Sequence, residues 1–460
     1  METIAAISTA IGEGGIGIVR MSGKDSFTIL KKIFLDAKKR QIEIKDIQGY
    51  TIKFGHIINF ETKEVIDEVL VSFFRGPKSY TREDMCEINT HGGILVVRKI
   101  LEECLKNGAE LAQPGEFTKR AFLNGRIDLS QAESVIDIIQ AKSEKEVEAS
   151  VKQLEGNLSK RIKEIQKQIL EQMADIEASI DYPEYDIEEV TNEHALQTLL
   201  KIEEQLKKLE DSFKSGKILK EGINTAIIGK PNVGKSSLLN YILEEDRAIV
   251  SDIEGTTRDT IEEMITIKGI PLKIIDTAGI RKTTDKIEEI GVNKALKIME
   301  DADLILAIFD NTRELDDEDK EILKKLKDKK AIILINKTDI QKENLQENKD
   351  IIETNKKIIN ISAQTGIGIH ELYDEIEKMF QLNEIDSSKE IIITNMRHKN
   401  QIVLAKKSIE EAIEAVKKRY PIDMIAIPMR QCLEELGKIT GENVSEDIIN
   451  EIFSKFCLGK

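Results

Sequence analysis

The chain has 460 residues, of which 40% are hydrophobic and 4% aromatic, and its formal net charge is −16. This length predicts about two to four domains, with enough apolar residues to bury cores rich in Ile and Leu. A protein that binds nucleic acid on its own is usually basic, so this acidic chain would need a local patch or a partner to contact RNA.

The cysteines and the apolar residues indicate the cellular compartment. The four cysteines, Cys86, Cys104, Cys432 and Cys457, lie far apart and include no C-x-x-C pair. This spacing argues against a disulfide framework and a zinc cluster, and it suits the reducing cytosol. We expect neither a signal peptide nor a membrane-spanning helix, because the N-terminus has no basic flank with an apolar core and no run of about 18 apolar residues occurs.

Residues 1–118 are predicted to form a mixed α/β domain. Strands are expected over 3–9, 16–21, 50–59 and 68–75, and helices over 24–35 and 94–107. The segment from Tyr80 to Gly93 is polar and rich in turn residues, as ligand-binding loops are. His91 in this segment has no partner visible in the sequence, so a structural role is favoured over catalysis.

Residues 119–218 are predicted to form the first part of a helical domain. From Val147 to Ile180, apolar residues recur at a mean spacing of about 3.67, which predicts one long and almost straight helix. Gly156 is expected to be tolerated inside this helix, and Pro183 is expected to end it. The Lys and Glu side chains on the rest of this long helix are interpreted as a solvated surface. A second, charged helix is expected over 193–214.

Residues 219–380 alternate between apolar strands and helical stretches. The predicted strands cover 223–228, 272–275, 304–309, 331–335 and 358–361. This alternation predicts a doubly wound, mostly parallel sheet of the α/β class. Ligand-binding groups are then expected at the carboxyl ends of the strands.

A phosphate-binding loop follows the first of these strands. Residues 229–236 match G-x-x-x-x-G-K-[ST], between a predicted strand and a predicted helix. Gly229 and Gly234 allow the backbone to point its N–H groups at phosphate. Lys235 is expected to reach the β- and γ-phosphates and Ser236 to bind Mg²⁺, with the positive end of the new helix adding to the attraction.

Three further motifs predict a switch and a preference for guanine. Residues 276–279 read Asp-Thr-Ala-Gly, in which the aspartate can support Mg²⁺ and the glycine N–H can contact the γ-phosphate. A threonine of residues 255–259 can complete the Mg²⁺ shell only when the third phosphate is present, which makes a switch. In residues 336–339, the Asp339 carboxylate can accept hydrogen bonds from guanine N1–H and N2–H₂, donors that adenine lacks.

Together these motifs predict a GTP-binding site. Asn336 and the stem of Lys337 are expected to brace the base, and the Ser362-Ala363 pair can offer an N–H to guanine O6. The residues expected to contact GTP are Asn232, Val233, Gly234, Lys235, Ser236, Ser237, Ser251, Asp252, Ile253, Glu254, Gly255, Thr256, Thr257, Asp276, Thr277, Ala278, Gly279, Asn336, Lys337, Asp339, Ser362 and Ala363.

Two departures from the Ras type affect the predicted mechanism. Ile280 occupies the position of the glutamine that orients the attacking water, and it cannot do so. Glu288 is a candidate for that task, although without further evidence a solvated carboxylate at the start of a helix is the favoured interpretation. No arginine finger stands out, and the side-chain carbonyl of Asn232 could instead hold a monovalent cation together with carbonyls of residues 251–256. Such a cation would offset the charge that develops in the transition state.

Residues 381–460 are predicted to form the second part of the helical domain. Helices are expected over 395–419 and 429–438, with Pro421 and Pro428 bracketing a turn between them, and a last helix starts at Ser445. Helices on both sides indicate that the nucleotide domain is inserted into a helical domain. The Cys457 thiol could be a nucleophile, a redox group or a small apolar filler, of which the filler is the commonest.

The chain resembles the MnmE family of tRNA-modification GTPases, also called TrmE or ThdF. Besides the nucleotide motifs, the resemblance rests on residues 3–7 and 14–20, 90–93, 114–126 and the C-terminal Phe-Cys-Leu-Gly-Lys of 456–460. It therefore covers the whole chain. Ala10 stands where many relatives have Pro and Arg126 where some have Lys, and neither departure removes the loop or the cation.

This resemblance implies ligands for each part of the chain. Residues 1–118 would bind a 5-formyl- or 5,10-methylene-tetrahydrofolate derivative and form a homodimer, with the folate site at Arg20, Glu87, Arg126 and Lys460. The nucleotide domain would hold K⁺ through Asn232, Ser251, Ile253 and Thr256. It would hold Mg²⁺ through Ser236 and Thr257, and Lys235 and Glu288 would be catalytic, with Glu288 orienting the water.

The resemblance also implies a reaction and a partner. The protein would act with an FAD protein of the MnmG type to add an aminomethyl or carboxymethylaminomethyl group at C5 of the wobble uridine, U34, of certain tRNAs. K⁺-stimulated hydrolysis would accompany dimerisation of the nucleotide domains. Cys457 matches a family cysteine whose role the resemblance leaves open.

Two other functions share parts of the sequence evidence. A regulatory GTPase that binds ribosome or RNA without modification chemistry would need the same nucleotide motifs, but not the first 126 residues and the tail. A scaffold that only dimerises through its helices would not need the intact nucleotide residues.

Overall fold

The computed structural model describes residues 1–43, 47–181, 188–245, 263–275, 299–340, 348–380 and 391–460. These residues form two compact units. The first unit comprises Met1–Ile139, Val151–Leu199 and Lys407–Lys460, and the second comprises Gln140–Ser150 and Leu200–Lys406. Among the helices in these ranges, none is both long enough and apolar enough to cross a membrane. The domain boundaries given above remain predictions.

The first unit contains a seven-stranded sheet in the order β3-β4-β5-β6-β2-β1-β7. Its strands are β1 (Ile4–Ile7), β2 (Gly14–Ser22), β3 (Phe34–Asp36), β4 (Thr51–Ile58), β5 (Val65–Phe74), β6 (Met85–Gly92) and β7 (Glu110–Leu111). β1 and β7 pair in parallel, and the other neighbours are antiparallel. Helices α1 (Ser26–Ile33) and α2 (Ile94–Lys106) pack against this sheet and share its apolar core.

The register of β2 and β6 determines which residues point away from that core. Val19 and Met21 of β2, like their partners on β6, are buried in the core. Arg20 and Glu87 face each other between these buried pairs. Because side chains alternate along a strand, Arg20 and Glu87 project together from the opposite face of the sheet.

The rest of the first unit is helical. Its helices are α3 (Glu116–Leu123), α4 (Leu129–Gln140), α6 (Asn157–Asp181), α13 (Ile422–Thr440) and α14 (Glu446–Ser454). Helices α6 and α13 pack against each other and bury apolar side chains such as Ile165 and Met429. Helices α5 (Glu144–Leu154), α7 (Glu188–Glu221) and α12 (Met396–Lys417) contribute residues to both units, and α4 contributes its last residue, Gln140, to the second unit.

The prediction of one helix from Val147 to Ile180 is wrong at Gly156. Helix α5 ends at Leu154 and α6 starts at Asn157. Gly156 has a φ of +83°, a left-handed conformation that glycine adopts readily at helix ends. The carbonyl oxygen of Leu154 accepts a hydrogen bond of 2.7 Å from Gln131 Nε2, which satisfies an acceptor at the helix end.

The predicted turn between Pro421 and Pro428 is also wrong. Pro421 is the N-cap of α13, and Pro428 lies inside this helix. Proline at that position costs one helical hydrogen bond. The residues Ile425, Met429 and Cys432 of the same helix are buried, and α13 packs against α6. Burial of these apolar side chains offsets that cost.

The second unit contains a six-stranded sheet in the order β13-β12-β11-β8-β10-β9. Its strands are β8 (Ile223–Ile228), β9 (Glu263–Ile267), β10 (Ile270–Ile274), β11 (Leu304–Asp310), β12 (Ala331–Asn336) and β13 (Lys357–Asn360), and its helices are α8 (Lys235–Glu245), α9 (Asp317–Leu326), α10 (Lys349–Ile352) and α11 (Ile369–Met379). β9 and β10 are antiparallel and the other pairs are parallel. Apolar clusters form on both faces of the sheet, so the prediction of a doubly wound, mostly parallel sheet is confirmed.

Candidate functional site

The phosphate-binding loop connects β8 to α8 at the carboxyl edge of the parallel strands. Val233 is 1% exposed and anchors the loop in the apolar core, whereas Asn232 has a φ of +62° and is exposed. Lys235 Nζ donates hydrogen bonds of 2.7 Å each to the carbonyl oxygens of Gly229 and Lys230. The backbone of the loop therefore surrounds the Lys235 ammonium group, which is predicted to bind phosphate.

Asn336 joins three loops at this edge of the sheet. Its Nδ2 donates to the carbonyl oxygen of Val233 at 2.7 Å, and its Oδ1 accepts from the backbone N–H of Ala363 at 2.9 Å. A Cβ atom on Gly234 would collide with this Nδ2, so the glycine is required for the close approach. The loops that follow β8, β12 and β13 are thus cross-linked through one buried side chain.

The other predicted guanine-site residues lie in the same loops. Asp339 is exposed, and Thr338 next to it donates from Oγ1 to the carbonyl oxygen of Ile361 at 2.9 Å. Ser362 is buried, and its Oγ accepts from the backbone N–H of Thr365. Both N–H groups of the Ser362-Ala363 pair, which is predicted to offer one to guanine O6, donate within the protein: that of Ser362 to the Ile367 carbonyl oxygen at 3.0 Å and that of Ala363 to Asn336 Oδ1. Ser237 is exposed in the first turn of α8.

Lys337 contacts an acidic residue that the sequence analysis missed. Its Nζ donates to Asp310 Oδ2 at 2.6 Å, and Asp310 Oδ1 accepts from both the backbone N–H and Oγ1 of Thr312. Burial alone would raise the pKa of Asp310, but the hydrogen bonds from Lys337 and Thr312 outweigh it and lower the pKa. The feature that could have identified Asp310 was its position in the fold. It ends a strand that lies directly beside the strand ending at Asn336.

A second ion pair ties the phosphate-binding loop to α9. Lys230 contacts Asp316, the N-cap residue of α9, and also Glu318 at 2.9 Å. Asp316 and Asp319 form a reciprocal capping box at this helix start. The hydrogen bond from Lys230 lowers the pKa of Asp316 to about 2.

Several predicted nucleotide residues lie outside the described residues. They are Ser251, Asp252, Ile253, Glu254, Gly255, Thr256, Thr257, Asp276, Thr277, Ala278, Gly279 and Glu288. Their roles remain predictions.

In the first unit, the C-terminal tail lies against the face of the sheet that presents Arg20. Arg20 donates from Nε and Nη2 to Glu87 Oε1, at 2.9 and 2.8 Å. Its Nη1 donates to the carbonyl oxygen of Gly459 at 3.1 Å, and Ser8 Oγ donates to the same oxygen. Gly459 has a φ of +86°, and a Cβ atom there would collide with the carbonyl oxygen of Ile7.

Two aromatic rings that were not predicted as site residues complete this cluster. The Arg20 guanidinium carbon lies 5.6 Å from the centre of the Tyr80 ring and 5.5 Å from that of Phe117. Arg126 lies over the Tyr80 ring at 4.7 Å. Burial, followed by the positive charge of Arg20, lowers the pKa of the Lys460 ammonium group. The four predicted folate-site residues are therefore brought together. The prediction of a loop from Tyr80 to Gly93 is wrong from Met85 onward, where β6 begins, because these residues pair with β2 and β5. Tyr80, which lies before β6, was the sequence signal for one of the two rings.

Cys457 differs from the other cysteines in its exposure. Cys86, Cys104 and Cys432 are buried, whereas Cys457 is exposed. Burial raises the pKa of Cys104 and of Cys432 to about 12 and raises that of Cys86 as well. The three buried thiols therefore remain protonated near neutral pH, and they behave as small apolar groups.

The fold and the nucleotide loops define the class of the protein. A phosphate-binding loop between strand and helix, with N-K-x-D and S-A loops tied to it on neighbouring strand ends, is the arrangement of a P-loop GTPase.

Comparison with known proteins identifies the family. A model described as GTP-binding protein TrmE N-terminus matches residues 3–126, and one described as MnmE helical domain matches residues 129–457. Proteins named tRNA modification GTPase MnmE from Acetivibrio thermocellus and Thermoanaerobacter pseudethanolicus are 50% and 51% identical to the chain, over 100% of its length and 99% of theirs. The chain therefore belongs to the MnmE family of tRNA modification GTPases, which confirms the resemblance and the GTPase activity.

Among solved structures, the chain is similar to Era in complex with MgGDPNP and nucleotides of 16S ribosomal RNA. The identity is 28% over 40% of this chain and 66% of that one, with a TM-score of 0.26. At this TM-score the likeness adds nothing to the assignment.

The substitution Asn336→Ala is expected to destabilise the second unit by about 2–4 kcal/mol, because the Val233 carbonyl and the Ala363 N–H would lose their partners in a buried site. The loss is measured as the change in the free energy of unfolding of the second unit in urea. Asn240→Ala, on the exposed side of α8, is the control and should change stability by less than about 0.5 kcal/mol. Equal stability of the two variants would contradict the cross-link.

Proposed function

We propose that the protein couples GTP hydrolysis to addition of a (carboxymethyl)aminomethyl group at C5 of the tRNA wobble uridine, U34. A tetrahydrofolate derivative supplies the one-carbon unit, and FAD takes part only through a partner of the MnmG type. The observation that carries this proposal is the cluster of Arg20, Glu87, Arg126 and Lys460 in the first unit. A regulatory switch without modification chemistry has no use for such a cluster.

The chemistry of this cluster suits a folate. Two guanidinium groups and one ammonium group can bind the carboxylates of a glutamate tail. The Glu87 carboxylate can accept hydrogen bonds from N–H groups of a pterin ring, and Tyr80 and Phe117 offer aromatic surface for stacking. Charged groups beside aromatic rings are typical of small-molecule sites.

The nucleotide site is proposed to use two cations. Ser236 and Thr257 would hold Mg²⁺, while Asn232 with Ser251, Ile253 and Thr256 would hold K⁺, whose charge would offset that of the transition state. Support comes from Asn232, which is exposed and whose side chain has no hydrogen-bond partner within the described residues. An amide oxygen is a hard donor that suits such a cation. Glu288 is proposed to orient the attacking water, and Lys235 to bind the phosphates.

The protein is proposed to act as a cytoplasmic homodimer. Phe54 and Leu70 face each other on β4 and β5, with Ile52 beside them, and these side chains are 49%, 47% and 64% exposed. Such an apolar strip supports contact with a second copy of the chain.

The four free cysteines suit a reducing compartment. The proposed domains are 1–118, 119–218, 219–380 and 381–460.

Nucleoside analysis of tRNA tests the proposed reaction. A strain that lacks this chain should lose the C5-modified wobble uridine, and a plasmid copy should restore it. A copy carrying Arg20→Gln should not restore it, because the folate site loses its central cation. Normal levels of the modified nucleoside in the deletion strain would exclude the proposal.

Titration of the full-length protein with 5-formyl-tetrahydrofolate tests the donor site. We expect saturable binding and a loss of about tenfold or more in affinity for Arg20→Gln, as expected when a charged hydrogen-bond donor is removed. Arg40→Gln is the matched control, since Arg40 pairs with Asp36 on the exposed surface of the same unit. Absence of binding by the unsubstituted protein would favour a switch without folate chemistry.

Salt exchange and one substitution test the hydrolysis mechanism. GTP turnover should require K⁺ and should fail in Na⁺, because the cation site replaces an arginine finger. Glu288→Ala should lower turnover about a hundredfold with little change in GTP affinity. Glu321→Ala, on the exposed surface of α9, is the control. Equal rates in the two salts would refute the K⁺ proposal, and an unchanged rate for Glu288→Ala would refute the role of Glu288.

A further inference from the structure

Asp310 and Lys337 form a close ion pair at the carboxyl ends of two adjacent strands. The distance from Lys337 Nζ to Asp310 Oδ2 is 2.6 Å, and the Asp310 residue is 8% exposed. The ends of β11 and β12 are paired through Asp310 and Asn336. The backbone N–H of Asn311 also donates to the carbonyl oxygen of Asn336 at 3.0 Å. The acid is therefore held directly beside the N-K-x-D loop.

Asp310 is itself immobilised by its neighbour Thr312. The second carboxylate oxygen accepts hydrogen bonds from Thr312 N–H at 2.9 Å and from Thr312 Oγ1 at 2.7 Å. Each carboxylate oxygen therefore has a defined partner, and the carboxylate cannot rotate without breaking these bonds. A lysine that bonds to a fixed carboxylate loses most of its rotamer freedom before any ligand arrives.

Lys337 needs such support because of its backbone and side chain. Its φ of +64° is a left-handed conformation that side chains rarely adopt. A flexible four-carbon stem carries its charge, and without a partner that charge favours full hydration away from the protein. The carboxylate holds the ammonium group against β11, so the stem stays at the carboxyl edge of the sheet.

We propose that Asp310 is a positioning residue for guanine-nucleotide binding, because its carboxylate fixes Lys337 in the orientation that braces the base. The inference rests on the proposed role of Lys337 in the guanine site. Asp310 acts through Lys337 and makes no contact with the nucleotide. A carboxylate is required, because an amide of the same shape accepts a weaker hydrogen bond and leaves the lysine charge uncompensated.

The variant Asp310→Asn tests this role with little change in shape. The affinity for fluorescently labelled GDP is expected to fall about tenfold, as when the supporting partner of a binding group is removed. The turnover rate at saturating GTP should stay within about twofold, because the chemistry at the γ-phosphate is unchanged and the loss appears in KM.

The matched control is Asp303→Asn in the same sheet. Asp303 precedes the other end of β11, and its carboxylate accepts a hydrogen bond of 3.1 Å from the backbone N–H of Asn224. This control makes the same carboxylate-to-amide change at the sheet edge away from the nucleotide loops, so GDP affinity should not change. Equal GDP affinity of Asp310→Asn and Asp303→Asn would overturn the proposal.

A double-mutant cycle with Lys337→Met separates positioning from a general structural role. Lys337→Met should weaken GDP binding about as much as Asp310→Asn, and the double variant should be no weaker than either. If Asp310→Asn causes a further full loss in the Lys337→Met background, Asp310 does not act through Lys337 and the proposal fails. Normal GDP affinity of Lys337→Met would remove the proposed role of Lys337 in the guanine site, and the inference with it.

Two substitutions of Lys337 provide a test that does not depend on whether the Asp310→Asn variant folds. Lys337→Arg keeps a cation that can bond to Asp310 and should bind GDP more tightly than Lys337→Met. Equal affinities of these two lysine variants would overturn the proposal.

Discussion

The arrangement of the nucleotide site depends on the buried side chain of Asn336. One amide group donates to the phosphate-binding loop through the Val233 carbonyl and accepts from the S-A loop through the Ala363 N–H. An amide can do both because it carries a donor and an acceptor at a fixed separation. Parallel pairing of β8, β11, β12 and β13 brings the three loops to one edge, and the asparagine then fixes the spacing between them.

The sequence motifs were sufficient for five of the six strands of the second sheet and for the three nucleotide loops within the described residues, because each motif has its chemistry in contiguous residues. Contacts between distant segments were not predictable in the same way. The Gln131 side chain bonds to the end of α5, and the left-handed Gly156 beside it separates α5 from α6, although the apolar spacing continues across both helices. Pro428 is tolerated in α13 because of packing against α6, and no local signal reports that packing.

Paired charges were the least predictable part of the candidate sites. His91 has no partner nearby in sequence, yet its Nδ1 lies 2.7 Å from Asp67, whose hydrogen bond and charge raise the pKa of the histidine. Likewise, Asp310 and Lys337 are separated by a helix and a strand before β-sheet pairing makes them neighbours. Residue type and spacing identify which groups have useful chemistry, whereas the fold decides which of them meet.

The contact between Arg20 and Gly459 has a consequence for the order of synthesis. These residues are 439 positions apart in the chain. While the protein is being translated, β2 therefore emerges early and leaves its guanidinium group without the Gly459 carbonyl until the tail has been made. The cluster around Tyr80 and Phe117 is therefore complete only after Gly459 has been synthesised, and a chain that stops before this residue would lack the carbonyl oxygen that Arg20 contacts.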